Sequence, residues 1–160
     1  MTTATPPAWT LRRAAPADAE RLTAIARLAK GHWGYPPDWL AAWETELTIT
    51  PEYLAEHRVF VVEEGDALLG LGGVEDHGDH WVLEHLWVDP GQQGRGIGQA
   101  LVRAVLDAAR AVRPGVVRIV ADPHAAGFYE RIGARRTGAR PGPMPGAPER
   151  ELPLFEIQAG

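Results

Sequence analysis

The sequence predicts one α+β domain over residues 1–160, a mostly antiparallel mixed sheet of about six to seven strands combined with helices. Three observations lead there. Residues 59–64 and 67–75 are apolar runs joined by Glu64-Gly65-Asp66, the pattern of a β-hairpin. A Trp- and Val-rich run at 80–89 passes through a glycine-rich turn straight into the strongest helical pattern of the chain, residues 96–112. Two further strand-like runs, 134–137 and 152–157, form a closing pair. At 160 residues the chain is long enough to bury one proper core.

The remaining elements follow in order. Residues 10–13 read as a short first strand. Residues 18–30 read as a helix, with Leu22, Ile25, Ala26 and Leu28 or Ala29 at helical spacing. Residues 31–37, rich in Gly and Pro, break it, and Asp38 is expected to cap a short helix carrying Leu40 and Trp43. Pro51 opens another helical turn or two. Gly70, Gly72 and Gly73 inside the second hairpin strand imply a bulge or close packing. Residues 116–121 form an apolar strand, and 125–131 a short helix stopped by Gly133. Residues 138–148 are a Pro- and Gly-rich excursion between the last two strands.

Composition narrows the function. With 45% apolar and 23% charged residues the chain is an ordinary globular protein rather than a disordered one. No apolar run approaches the roughly 18 residues of a membrane helix, so no membrane partner is expected. The first residues, 1–7, lack the basic and apolar segments of a secretory signal. Cys is absent, which removes disulfides and thiolate catalysis and suits a cytoplasmic enzyme. His77, His80 and His85 lack zinc-ligand spacing, so no metal is expected. A net charge of −5 speaks against whole-chain attraction to nucleic acid. The charge is uneven: residues 31–94 hold 13 of the 21 acidic side chains and one base, Arg58, while the segments on either side are net basic. That pattern fits either solvated acidic faces or a site with a cationic and an anionic half.

The most informative stretch is Val88-Asp89-Pro90-Gly91-Gln92-Gln93-Gly94-Arg95-Gly96-Ile97-Gly98. The following helix places Ile97, Leu101, Val105, Ala108 and Val112 on one face, and Gln99, Arg103, Asp107 and Arg110 on the other. Its start has no Ser, Thr, Asp or Asn to cap the first N–H groups. An anion would satisfy them, and glycines at 94, 96 and 98 would let it approach the backbone. The P-loop pattern is excluded because the Lys followed by Ser or Thr is missing. The dinucleotide pattern is excluded because Gln99 stands where its last Gly would be.

What fits is Gln-x-x-Gly-x-Gly, formed by Gln93, Gly96 and Gly98. This resembles the acetyl-CoA pyrophosphate loop of the GNAT superfamily of N-acetyltransferases. Residues 85–90 resemble that family's fourth strand, and residues 122–134 its fifth-strand exit and following helix. The order of elements matches from residue 10 to 157. The resemblance implies a twisted GNAT-like sheet with helices on both faces, whose fourth and fifth strands run parallel and splay apart around the cofactor. It implies acetyl-CoA as cosubstrate, a core for it at 80–133, and acceptor-side helices at 31–58. Leu86, Trp87, Val88, Gln93, Gly94, Arg95, Gly96, Ile97, Gly98, Gln99, His124 and Phe128 become the expected cofactor-binding residues, Leu86 and Val88 through their main chain.

The implied reaction is attack of an amine on a thioester, which needs a neutral amine, a stabilised oxyanion and a proton for the leaving thiolate. Tyr129 aligns with the family tyrosine that serves the sulfur, and a phenol has a suitable pKa for that task. Glu84 is the candidate base: strand alternation sets it in a row with Val82, Leu86 and Val88, and apolar surroundings raise a carboxyl pKa. His85, in the opposite row, is the rival, and a water relay is a third route. Trp33 and Tyr35, with Trp39 and Trp43 nearby, offer aromatic faces to a cationic acceptor, and Arg150 stands within reach of acceptor or cofactor. The expected function is acetyl transfer to a primary amine of a small molecule or peptide. An acyl-CoA-binding sensor without turnover is the alternative, and homodimers, common in the family, are compatible with either.

Overall fold

The computed structural model describes residues 8–160, so the expectation about a secretory signal at 1–7 lies outside the described residues. The chain runs β1 (Thr10–Arg13), α1 (Ala19–Gly31), α2 (Pro37–Ala42), α3 (Glu44–Leu47), α4 (Pro51–Glu56), β2 (Arg58–Glu64), β3 (Ala67–Asp76), β4 (Trp81–Val88), α5 (Ile97–Val112), β5 (Gly115–Val120), α6 (Ala126–Arg131), β6 (Arg135–Pro141) and β7 (Glu151–Ala159). Seven strands form one sheet in the order β1-β2-β3-β4-β5-β7-β6. Every pairing is antiparallel except β4 with β5. No helix among the described residues is long and apolar enough to cross a membrane.

Two helical layers cover the sheet. On one face Leu22, Ile25 and Ala26 of α1 join Leu47, Leu54, Val59, Val61 and Leu71 in one apolar cluster. On the other, α5 sets Val102, Val105 and Ala109 with Leu83, Val117, Ile119, Tyr129 and Phe155. The first turn of α5 presses Ile97 and Leu101 onto Val62 and Leu69. Glycine makes this closeness feasible. A Cβ on Gly70 would lie 2.9 Å from the Trp87 carbonyl oxygen and 3.2 Å from both Ile97 and Leu101, and one on Gly72 would lie 3.3 Å from Leu101. Both expected features of this strand are present, the close packing and a bulge beside Gly70, where Leu69 is the extra residue in its pairing with β2.

Three local expectations change. The short second helix starts at Pro37 after Pro36, so Asp38 lies inside its first turn and is not the cap. β6 continues to Pro141, into the segment read as an irregular excursion, because β7 offers partners as far as Glu151. The strict alternation assumed along residues 82–88 fails. Gly73 pairs with His85 and Val74 with Leu83, which leaves Glu84 as the extra residue of a bulge. Glu84 and His85 therefore do not stand in opposite rows.

The parallel pair is short. β4 and β5 meet only at Trp81–Val117 and Val82–Arg118. β4 stays with β3 to Val88, and β5 stays with β7 to Val120. The two strands part from Leu83 onward, immediately before the bulge.

Gly70→Ala is expected to lower stability by about 2 kcal/mol, because the new methyl meets backbone that cannot yield. Urea unfolding measures this directly, and an unchanged midpoint would contradict the tight seat of α5.

Candidate active site

The loop after β4 is built to present main-chain donors. The Asp89 carboxylate accepts from the Gly91 N–H at 2.9 Å and sets the turn at residues 90–92. Gly94 and Gly96 then take φ of 81° and 76°, the left-handed region, and a Cβ on either would meet nothing within 4 Å. Gly96 is the N-cap of α5 and supplies no side-chain cap. The first turn of this sixteen-residue helix thus has no side-chain cap for its N–H groups, and the helix dipole stands behind them. That donor set fits a pyrophosphate, which would be held by the main chain of residues 94–99. A pocket of about 490 Å³ adjoins this loop, between residues 89–91 and the last turns of α1.

Several side chains of the loop serve the protein itself. Ile97 is buried in the core, so only its main chain faces the loop's open side. Arg95 donates to Gln92 at 2.7 Å and to Glu64 at 2.6 Å, bracing the loop against the β2 end. Gly98 is small for a packing reason, since a Cβ there would come within 3.3 Å of the Phe128 ring. Gln93 and Gln99 are exposed, and Gln99 lies on the outer side of α5. Leu86 and Val88 pack beneath α5, while Trp87 packs toward α1. Beyond Val82, the edge of β4 that carries these residues is free of β5.

The bulge brings Glu84 and His85 into one polar region with residues that local sequence patterns do not single out. Tyr53 donates to Glu75 at 2.7 Å, and His77 lies 3.1 Å from the same carboxylate. Burial works against the Glu75 charge, but these hydrogen bonds outweigh it and hold its pKa below the usual range. Glu84 is exposed to solvent on one side. Desolvation first, then the nearby charges of Glu75 and Glu46, push its pKa up. Two neighbouring carboxylates are thus driven in opposite directions, one held ionised and one made basic.

His85 plays a different part. It is 6% exposed, and burial pushes its pKa down to about 4. The Trp87 indole N–H donates to its Nδ1 at 3.0 Å. That nitrogen must accept, so the ring is neutral with its proton on Nε2. A ring whose free nitrogen already carries a proton is no base, which leaves Glu84 as the stronger candidate.

Tyr129 stands on the other face of the sheet, buried beside Phe128 and Phe155. Burial raises its pKa, so it stays protonated through the working range. Among the described residues its hydroxyl joins no side-chain hydrogen bond.

The aromatic residues read as acceptor-binding are arranged around the chain's own cations. Lys30 lies 4.2 Å from the Trp43 ring and 5.2 Å from Tyr35. Arg150 lies 5.2–5.6 Å from Trp43, Tyr35 and Trp39. The Tyr35 hydroxyl donates to Asp122 at 2.8 Å, so both its ring and its polar tip are engaged. Trp33 remains 40% exposed and stacks flat on His124 at 4.8 Å. Asp122 was not among the expected site residues; its local signal is the Asp-Pro step that ends β5.

Asp122 pairs with Lys30 at 2.5 Å, with both side chains about nine-tenths buried. Burial opposes its charge, but Lys30, the His124 N–H and Tyr35 outweigh that and hold its pKa low. This contribution to stability is present above the ordinary carboxylate range and is lost as pH falls through the depressed value. Lys30→Met is expected to cost about 3 kcal/mol at pH 7, because it strands a buried carboxylate. The cost should shrink as pH falls through the ordinary carboxylate range, where the carboxylate that has lost Lys30 takes up a proton. Thermal melts across pH test this, and a cost independent of pH would refute the pairing.

Comparison with known proteins places this geometry. The model of the Acetyltransferase (GNAT) family matches residues 24–134. The N-alpha-acetyltransferase RimI of Mycobacterium tuberculosis is 35% identical over 133 residues, spanning 78% of this chain and 77% of that protein. Among solved structures, YncA of Salmonella typhimurium, a putative acetyltransferase with acetyl-CoA, superposes with a TM-score of 0.71 at 22% identity, covering 95% of this chain and 94% of that one. The ribosomal-protein-S18-alanine N-acetyltransferase of Escherichia coli gives 0.68 at 18% identity, covering 95% and 94%. The chain belongs to the GNAT family of acetyltransferases, enzymes whose cosubstrate is acetyl-CoA.

Proposed function

We propose that this acetyltransferase acts on a primary amine by direct attack, with Glu84 as general base and Tyr129 as the acid that serves the sulfur. The observation that carries the reading is the opposed pair of carboxylates at the bulge. Glu75, held ionised, favours an approaching ammonium, and Glu84, made basic, takes its proton. Glu46 adds negative charge on the same side. This is the acidic half of the charge map given a place. The basic half, from Arg95 onward, holds the anion-binding loop.

Acetyl-CoA supplies an activated acyl carbon and a thiolate leaving group. The main chain of residues 94–99 holds the pyrophosphate by its N–H groups. The free edge of β4 at Leu86 and Val88 offers main-chain hydrogen bonds to the arm between loop and thioester. Glu84 takes the ammonium proton and passes it to solvent; as the neutral amine nitrogen then bonds to the acyl carbon, Glu84 accepts the second proton. Tyr129 donates its proton to the sulfur as the carbon–sulfur bond breaks. Tyr129 lies in the layer beneath α5, and the reading requires the parting of β4 from β5 to admit base and acid to one thioester.

The relative's name points to the α-amine of a peptide as the acceptor to try first. CoA release with short peptides bearing a free N-terminal alanine, against the same peptides with blocked N-termini, tests it. The parent enzyme should gain activity as pH rises through the raised Glu84 value, since the base works only when deprotonated. Glu84→Gln should lose about 100-fold or more in turnover and lack that acidic limb. A pH profile identical to the parent's would exclude Glu84 as the base.

A further inference from the structure

Where β5 ends, seven residues before Tyr129, one carboxylate ties together four segments of the chain. Asp122 accepts from Lys30 at the end of α1 at 2.5 Å and from Tyr35 in the following turn at 2.8 Å. It also accepts from the main-chain N–H of His124 at 2.8 Å, and Arg150, just before β7, lies 3.9 Å away. Arg150 in turn donates to the Gly142 carbonyl at 3.2 Å, and the Trp39 indole donates to the Pro145 carbonyl at 2.9 Å. The acceptor-side helices and the loop between β6 and β7 are thereby closed onto a single group.

We propose that Asp122 is a positioning residue that acts through Tyr129. By latching the start of α6 to α1 and the α1–α2 turn, it sets the Tyr129 hydroxyl against the sulfur of the bound thioester. The inference rests on the reading of Tyr129 as the acid. α6 has six residues, too few to hold its own geometry. Its anchors are therefore external. Phe128 seats on Gly98 and Tyr129 on Phe155, which fix the far side. The near end is fixed by Asp122, whose side chain caps the turn at residues 123–125 and whose carbonyl accepts from the Ala125 N–H at 2.9 Å. A buried ion pair adds little net stability, while its geometry is exacting. Placing one at this end of α6 is explained by position rather than by strength. Catalytic proton transfer is sensitive to displacements of about 1 Å, and the latch controls that displacement from the acceptor side.

A double-mutant cycle on the full chain tests this, with acetyl-CoA and an alanine-initiated peptide as substrates. Asp122→Asn keeps the shape but loses the charge that holds Lys30. It is expected to lower kcat about tenfold while KM for acetyl-CoA changes less than about threefold. In the Tyr129→Phe background it should cause no further loss, because the group it positions is gone. Should Asp122→Asn fold poorly, Lys30→Met/Asp122→Asn takes its place in the cycle, since it removes the Lys30 charge together with its partner. Losses that multiply in the combined variant, or a change in Tm with kcat intact, would overturn the latch and leave Tyr129 as the acid. Full turnover in Tyr129→Phe alone would overturn both.

Discussion

β4 and β5 share two residue pairs and then part, and the rest of the site depends on that separation. Each strand is held by its outer neighbour, β4 by β3 as far as Val88 and β5 by β7 as far as Val120. Between them lie two strand edges whose main-chain groups need partners. The bulge at Glu84 falls where the parting begins, so one extra residue bends β4 at that point. α5 can lie across β3 and β4 only because Gly70 and Gly72 carry no side chain. Its N-terminus then stands at the far end of β4, where a phosphate must go if a thioester is to reach the gap.

The gap also divides the chemistry. Tyr129 belongs to the apolar layer beneath α5, and burial keeps its proton on. The carboxylates belong to the layer of α3 and α4, where Glu75 is stabilised as an anion by Tyr53 and His77. In the proposed reaction the donor comes from the apolar side and the base from the acidic side, where β4 and β5 part. His85, next to Glu84, is removed from acid–base work by the Trp87 indole and by burial.

Much of this was legible in the sequence where the signal is local. The hairpin at β2 and β3, the loop, and α5 each depend on residues close along the chain, and turn chemistry and helical spacing report them. The bulge was not legible, because it is a property of how β4 pairs with β3 across the hairpin turn. The roles of Tyr35, Trp39 and Trp43 were half legible. Their aromatic faces do hold cations, but Lys30 is local and Arg150 lies more than 100 residues away. Arg95 carries a charge suited to an anion, and only the fold reveals that Glu64 takes it. Asp122 needed the same knowledge, since its meaning comes from Lys30 and Tyr35, near the other end of the chain.

The parted strands are tested most directly by hydrogen–deuterium exchange of the full chain with and without acetyl-CoA, with NADPH as the control. Acetyl-CoA should slow exchange across residues 83–99, covering the free edge of β4, the loop and the first turn of α5, while NADPH leaves them unchanged. Slowed exchange confined to the outer face of α5 around Arg103 and Arg110, with residues 83–99 unaffected, would contradict the gap between β4 and β5 as the place where the cosubstrate is held.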